Sequence, residues 1–369
     1  MHIVVPKSAL LDLLAPAVAA CEARSTTPIL GAVLLEARSD GTLTATATNK
    51  AVTFTGSAIV DVRAPGAVCI DAATLMQVVK TRDDKAPLDI RAAENQRVIV
   101  KAGRSESKLV SFAPADFPVA PELKDPRETT VDAGDLARCI DQMGFAIAPE
   151  DNRYGLNGAH VEKSGEKARF VSTDGNRLAW AEIPFAGELA PGRKLLVPRG
   201  ALMQIRALLT KVAGPVAIRW GERACQFVAP SRRLDIRMLE AEFPDYRQVI
   251  PAGFKRKATL DRAEFAAAIE ATQIFAVDGA HSIRFEFDGE SCRLSARKLD
   301  AGDARTEVGA NLDGERISLG MNARFVLDVL KALRGDTVTL EMGDVLSPIV
   351  VRDPADAGCF FVVMPVRLD

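Results

Sequence analysis

The chain has 369 residues, 48% hydrophobic and 26% charged, with 47 basic against 49 acidic side chains and a formal net charge of −2. That length fits two or three globular domains, and the near-neutral balance excludes a uniformly basic nucleic-acid binder but not an acidic exterior around a basic inner surface. No apolar run reaches a membrane span, and His2-Ile3-Val4-Val5 runs straight into Pro6 and Lys7, unlike a secretory leader, so a cytoplasmic protein with no membrane partner is expected. Cys21, Cys69, Cys139, Cys225, Cys292 and Cys359 are scattered singly with no Cys-x-x-Cys pair, which predicts buried reduced thiols and no zinc or disulfide framework.

Along the chain one unit repeats three times. Helical stretches over 8–20, 132–147 and 261–276 place Leu10, Leu136 and Phe265 in corresponding positions, with Ser8, Asp132 and Asp261 as N-cap or first-turn candidates. Leu75-Met76-Gln77-Val78 recurs as Leu202-Met203-Gln204-Ile205 and more loosely as Val326-Leu327-Asp328-Val329. After each comes a turn and an alternating strand, marked by Leu88 and Ile90, Val216 and Ile218, Val338 and Leu340. Short alternating strands fill the space between the helices, for instance 42–48, 51–62, 284–287 and 293–296. Phe117-Pro118 and Phe243-Pro244 mark the joints, giving domains 1–125, 126–253 and 254–369. Two helices per unit on largely antiparallel sheet make an α+β fold. Two such three-unit arcs joined head to tail would close into a ring of twelve helices, although periodicity alone also allows a threefold globule without a hole.

Within the second unit, 170–180 reads Phe-Val-Ser-Thr-Asp-Gly-Asn-Arg-Leu-Ala-Trp, the chemistry of a tight β-turn between two strands. Together with Phe243-Pro244-Asp245-Tyr246-Arg247 and the terminal Val362-Val363-Met364-Pro365-Val366-Arg367-Leu368, this turn closely resembles the bacterial sliding clamp family, the β subunit of DNA polymerase III. The resemblance extends over essentially the whole chain, including Arg24-Ser25-Thr26-Thr27-Pro28-Ile29-Leu30-Gly31 and Arg153-Tyr154-Gly155-Leu156-Asn157-Gly158. It implies a head-to-tail homodimeric ring around double-stranded DNA. It also implies a groove that captures the polymerase III catalytic subunit, the clamp loader and other proteins with clamp-binding motifs, with no cofactor.

By that resemblance the groove comprises Leu156, Thr173, Gly175, Asn176, Arg177, Leu178, Pro244, Val249, Asn322, Phe325, Leu346 and Pro348, with Val362, Val363, Met364, Pro365, Val366, Arg367 and Leu368 from the last strand. Leu178, Val249, Leu346, Val362 and Met364 would form an apolar pocket, and Arg177 and Arg367 a rim suited to acidic or polar partner residues. Asn176, Gln248 and Phe325 depart from family residues that are often His, basic and Tyr, which affects polar contacts and leaves room for a divergent paralogue. The resemblance places Arg24, Arg153 and Tyr154 near DNA. Spacing adds Arg199 with Arg206 and Arg324 with Lys331, each pair seven apart, and Lys80, which is equivalent to Lys331 in the repeat. The dimer contact inherited from the family would set Leu109 against Ile274 and Phe275, with Arg97 and Arg104 facing Asp300 and Asp303.

No catalytic constellation accompanies these residues. His2, His160 and His281 belong to no paired-ligand motif, and there is no phosphate-binding loop, nucleophile elbow or dinucleotide fingerprint. The expected function is a sliding clamp that does no chemistry; the alternative is a peptide-binding adaptor of clamp ancestry without a replicase role.

Overall fold

The computed structural model describes residues 1–22, 26–118, 120, 123, 126–149, 155–187, 195–210, 212–221, 223–276 and 281–368. Six α-helices lie among them: α1 (Lys7–Ala20), α2 (Ala72–Lys80), α3 (Ala133–Met143), α4 (Arg199–Leu209), α5 (Arg262–Thr272) and α6 (Ala323–Ala332). The remainder is mostly antiparallel strand, so the fold is α+β. The repeat positions are core positions. Leu10, Leu136 and Phe265 on the first helices and Leu75, Leu202 and Val326 on the second are all buried, because each amphipathic helix turns one stripe onto its sheet.

Four of the six helix starts are set by short polar side chains. Asp71, Asp261 and Asn322 accept from backbone N–H groups of the first turns of α2, α5 and α6, and Asp132 Oδ1 accepts from Gly134 N at 2.8 Å. Ser8, expected at the N-cap or in the first turn, lies in the first turn of α1. Pro6 takes the N-cap position, its ring fixing φ and its carbonyl accepting from Leu10 N at 3.1 Å.

The chain divides into two compact units, 1–134 with 200–238 and 135–199 with 239–369. In the first, a 13-stranded sheet runs through Val52–Ile59, which pairs antiparallel with Arg232–Arg237 so that Phe54 faces Leu234. In the second, a nine-stranded sheet joins Arg177–Pro184 to Asp356–Val363. This unit also holds a four-stranded sheet in the order Gly302–Gly309, Ser291–Lys298, Ser282–Asp288, Ile317–Asn322, with α5 on its inner face. The strands of the middle sequence repeat are thus shared between two large sheets. Backbone pairing runs across the repeat joints, whereas the sequence repeat counts elements between them.

Candidate functional site

Three segments of the second unit meet at one end of the nine-stranded sheet. Arg177, Val363 and Ile349 are register partners on three adjacent strands. The turn before Arg177, the tail after Val363 and the loop carrying Leu346 and Pro348 before Ile349 therefore leave the sheet at the same end. The turn is built as its composition predicts. Gly175 has φ +91°, Asp174 Oδ1 accepts from Asn176 N (3.0 Å) and Arg177 N (3.1 Å), and Thr173 Oγ1 donates to Arg177 O at 2.7 Å. Gly175 and Asn176 are exposed.

The tail is tied down by backbone bonds. Met364 N donates to Asn176 O and Val366 N to Gly320 O, both at 2.9 Å. The second bond needs glycine: a Cβ on residue 320 would lie 2.5 Å from Val366 O and 2.7 Å from Leu368 Cγ.

Arg177 is not the rim cation expected from sequence. Its side chain is only 11% exposed and forms ion pairs with Asp174 (3.0 Å) and Asp328 (2.6 Å) while Nη2 donates to Phe145 O at 2.8 Å. The guanidinium carbon lies 4.6 Å from the Phe325 ring centroid and 5.1 Å from that of Phe145. Two carboxylates and two π faces consume its charge, so it fastens the turn to α6. Asn322 is likewise spent, its amide oxygen capping α6 through Arg324 N and Phe325 N.

Several of the expected pocket residues lie beneath the surface. Leu178 and Val362 are buried in a cluster with Val171, Tyr246, Val350 and Phe360, and Val363 and Leu156 are buried too. These strands are covered on the face that a half-exposed alternation would have left open. The apolar side chains that reach solvent are Val249 (41%) and Leu346 (53%), with Pro244 exposed, Pro348, Met364, Pro365, Val366 and Leu368 half-buried, and Arg367 exposed.

Sequence reasoning missed the polar clasp behind this cluster. Glu162 accepts from Tyr246 OH at 2.6 Å, from Arg247 Nη2 at 2.8 and 3.0 Å and from Arg169 Nη1 at 3.1 Å, and it lies 3.4 Å from His160 Nε2. Burial pushes its carboxyl up. The Tyr246 and His160 hydrogen bonds and the Arg247 charge outweigh that and hold it at about 2. The clasp fixes the 243–250 joint, since Phe243 stacks on His160 at 5.3 Å. Its members lie up to 85 residues apart, and no local pattern announces such a pairing.

Comparison with known proteins places this geometry. Models of the DNA polymerase III beta subunit match in succession: the N-terminal domain over 1–121, the central domain over 130–245 and the C-terminal domain over 247–367. The beta sliding clamp of Caulobacter vibrioides strain NA1000 is 33% identical over 375 residues, covering all of both chains. That of Pseudomonas aeruginosa is 30% identical over 369 residues, again covering both chains fully. The chain belongs to the bacterial β sliding clamp family. Solved clamp structures agree. The Caulobacter crescentus sliding clamp superposes with TM-score 0.91 at 32% identity, and a Pseudomonas aeruginosa clamp bound to griselimycin with TM-score 0.93 at 30%, each covering 100% of both chains. The function is accordingly that of a DNA sliding clamp, in a family of processivity factors built from three clamp domains.

The remaining clamp residues fall unevenly. Lys80 and Lys331 are exposed at the last turns of α2 and α6, and Arg324 is exposed at the start of α6. Arg199 and Arg206 are half-buried on α4, so that stripe offers less free charge than its spacing suggested. Arg24, Arg153 and Tyr154 lie outside the described residues.

Leu109 is turned inward. It is buried (9%), and its neighbour Val110 is the exposed residue (59%), because strand side chains alternate and a one-residue slip exchanges the faces. Ile274 is 69% exposed and Phe275 half-buried, and Arg97, Arg104, Asp300 and Asp303 are exposed.

All six cysteines are free, and all but the half-buried Cys21 are buried; burial pushes the thiols of Cys21, Cys69, Cys225 and Cys359 up to about 12. Among the described residues no helix is long and apolar enough to cross a membrane, and no group of three or more His, Cys, Asp or Glu could hold a metal ion.

Proposed function

We propose that two copies of this chain close head to tail into a ring around double-stranded DNA in the cytoplasm and tether the replicative polymerase and other partners without catalysing any reaction. The chief support is the uninterrupted match of the whole chain to whole clamps, three domains in order. The sequence division into 1–125, 126–253 and 254–369 would be the unit of that ring.

Closure would use two open strand edges. Gly302–Gly309 is the outermost strand of its four-stranded sheet, and 105–110 pairs only with Arg97–Ala102 among the described strands. Val110 would meet Ile274 and Phe275 there, with Arg97 and Arg104 facing Asp300 and Asp303. Lys80, Arg324 and Lys331, with Arg24, Arg153, Tyr154, Arg199 and Arg206, would supply loose phosphate contacts. At the sheet end, Val249, Leu346, Pro348, Met364 and Pro365 would receive the apolar anchor of a partner peptide over the Leu178–Val362 floor, with Arg367 at the rim.

Loaded on nicked circular DNA, the protein should persist through a high-salt wash and leave when the circle is cut, because encirclement holds by topology while phosphate contacts weaken steeply with salt. Equal loss from circular and linear DNA would overturn the ring. Deleting 364–369 should abolish binding of a polymerase-type peptide and leave dimer mass in sedimentation unchanged. Undiminished peptide binding would move the groove elsewhere.

A further inference from the structure

The outer face of the four-stranded sheet holds a cavity of about 500 Å³ whose lining includes four arginines, Arg284, Arg297, Arg305 and Arg367, with Ser295 and Asp303 among the rest. Register explains why the side chains converge. Arg284, Ser295 and Arg305 are partners in one row across three strands, and Arg297 faces Asp303 in the next. Their neighbours Ile283, Phe285, Leu294 and Ala296 are buried, so these residues point outward.

Asp303 stands opposite one of the four cations. Among the described residues Arg284 donates a single long bond, 3.4 Å, to Ser318 Oγ. Arg305 and Arg367 are exposed and have no ion pair among the described residues. Like charges gathered around a concave surface repel one another, and an anion seated among them removes that cost. The volume suits a small group, and a guanidinium fork matches a carboxylate in two parallel bonds.

We propose that this cavity binds an acidic peptide segment, one or two Asp or Glu carboxylates held between Arg284 and Arg305 over the Ser295 hydroxyl with Arg367 at the lip. A nucleic-acid strand fits the same face poorly. The adjacent row is Glu286, Arg293 and Glu307, with Asp288 beyond, and these carboxylates, a two-residue step of about 7 Å along the strands, would repel a continuous phosphate chain. The site takes a local anion. It lies on the sheet face, whereas ring closure would use the strand edge, and the two would share Asp303.

A labelled peptide with two adjacent glutamates and no apolar anchor, titrated into the full chain at low salt by fluorescence anisotropy, tests this. The glutamine version should bind at least about tenfold more weakly. Arg284→Gln with Arg305→Gln should abolish that preference while leaving the affinity of an apolar polymerase-type peptide and the unfolding transition unchanged. Should that double variant unfold, Ser295→Asp serves instead: its carboxylate would sit between the two arginines and block the acidic peptide. Absence of glutamate-dependent binding at low salt, or its survival in these variants, would overturn the proposal. A single-stranded oligonucleotide of equal charge binding as tightly, and lost in the same variants, would make the face a nucleic-acid surface and overturn it equally.

Discussion

Arg177 and Arg305 lie on strands of the same compact unit, yet their surroundings are opposite. Arg177 is 11% exposed, paired to Asp174 and Asp328 and flanked by Phe145 and Phe325. Arg305 is exposed, with only a serine across from it and another arginine one strand further. The residue type is the same, so surroundings decide the role. A cation whose charge is consumed within the chain holds structure together, and one left unmatched is available to a ligand. In a clamp this separation would let the proposed peptide-binding end of the sheet be apolar while electrostatic recognition sits elsewhere.

The largest consequence of the contrast should appear at Arg177. Arg177→Ala strands two carboxylates and empties the space between two rings, which should cost about 2–4 kcal/mol of unfolding free energy, a little below the range for fully buried pairs because Asp328 is partly exposed. Denaturant titration measures this. A loss under about 0.5 kcal/mol, the range of ordinary surface substitutions, would show that Arg177 is no fastener.

Gly320→Ala should come next, at about 1–3 kcal/mol if the tail stays in place. The clash is with a backbone oxygen, Val366 O, so no rotamer change relieves it. The tail should detach instead, exposing the Val366 amide to rapid hydrogen exchange and weakening any peptide that needs Met364. Unchanged protection of that amide would contradict the close approach.

The Glu162 clasp gives a smaller, pH-dependent effect. Its folded carboxyl titrates at about 2, below the ordinary value near 4.3. A depressed folded value means that the contribution is complete above the unfolded value and is lost as pH falls through about 4 towards 2. Glu162→Gln should therefore lower stability at pH 7 and flatten the acid limb between those limits. An identical acid limb in the variant would place the acid sensitivity elsewhere.

These residues also show what can be read from sequence and what cannot. The 173–178 turn was readable because Asp, Gly and Asn act on their own backbone, and the helix core positions were readable because a 3.6-residue stripe is local. Leu109 was named through the family resemblance alone, and two adjacent aliphatic residues give no local signal that Leu109 is the buried one and Val110 the exposed one. Arg177 looked like a rim cation because its partner Asp328 lies 151 positions away. The Glu162 clasp escaped notice for the same reason. That Leu178 and Val362 lie beneath the pocket could not be read either, because a resemblance names apolar positions but not what covers them.

The smallest effect on stability belongs to the free arginine. Arg284 and Arg305 flank Ser295 on adjacent strands, which puts their backbones about 9–10 Å apart, near the screening length at physiological salt. Each destabilises the other slightly and gains nothing from a partner. Arg305→Gln should then be neutral or slightly stabilising, within about 0.5 kcal/mol, and any gain should grow at low ionic strength, where the repulsion it removes is least screened. Arg177→Ala should show little dependence on salt, since its ion pairs are largely shielded from solvent. Melting both variants beside the parent at two salt concentrations sharpens the comparison. A salt-independent loss on Arg305→Gln would mean that this arginine, too, has its charge consumed within the fold, and the distinction between the two sites would collapse.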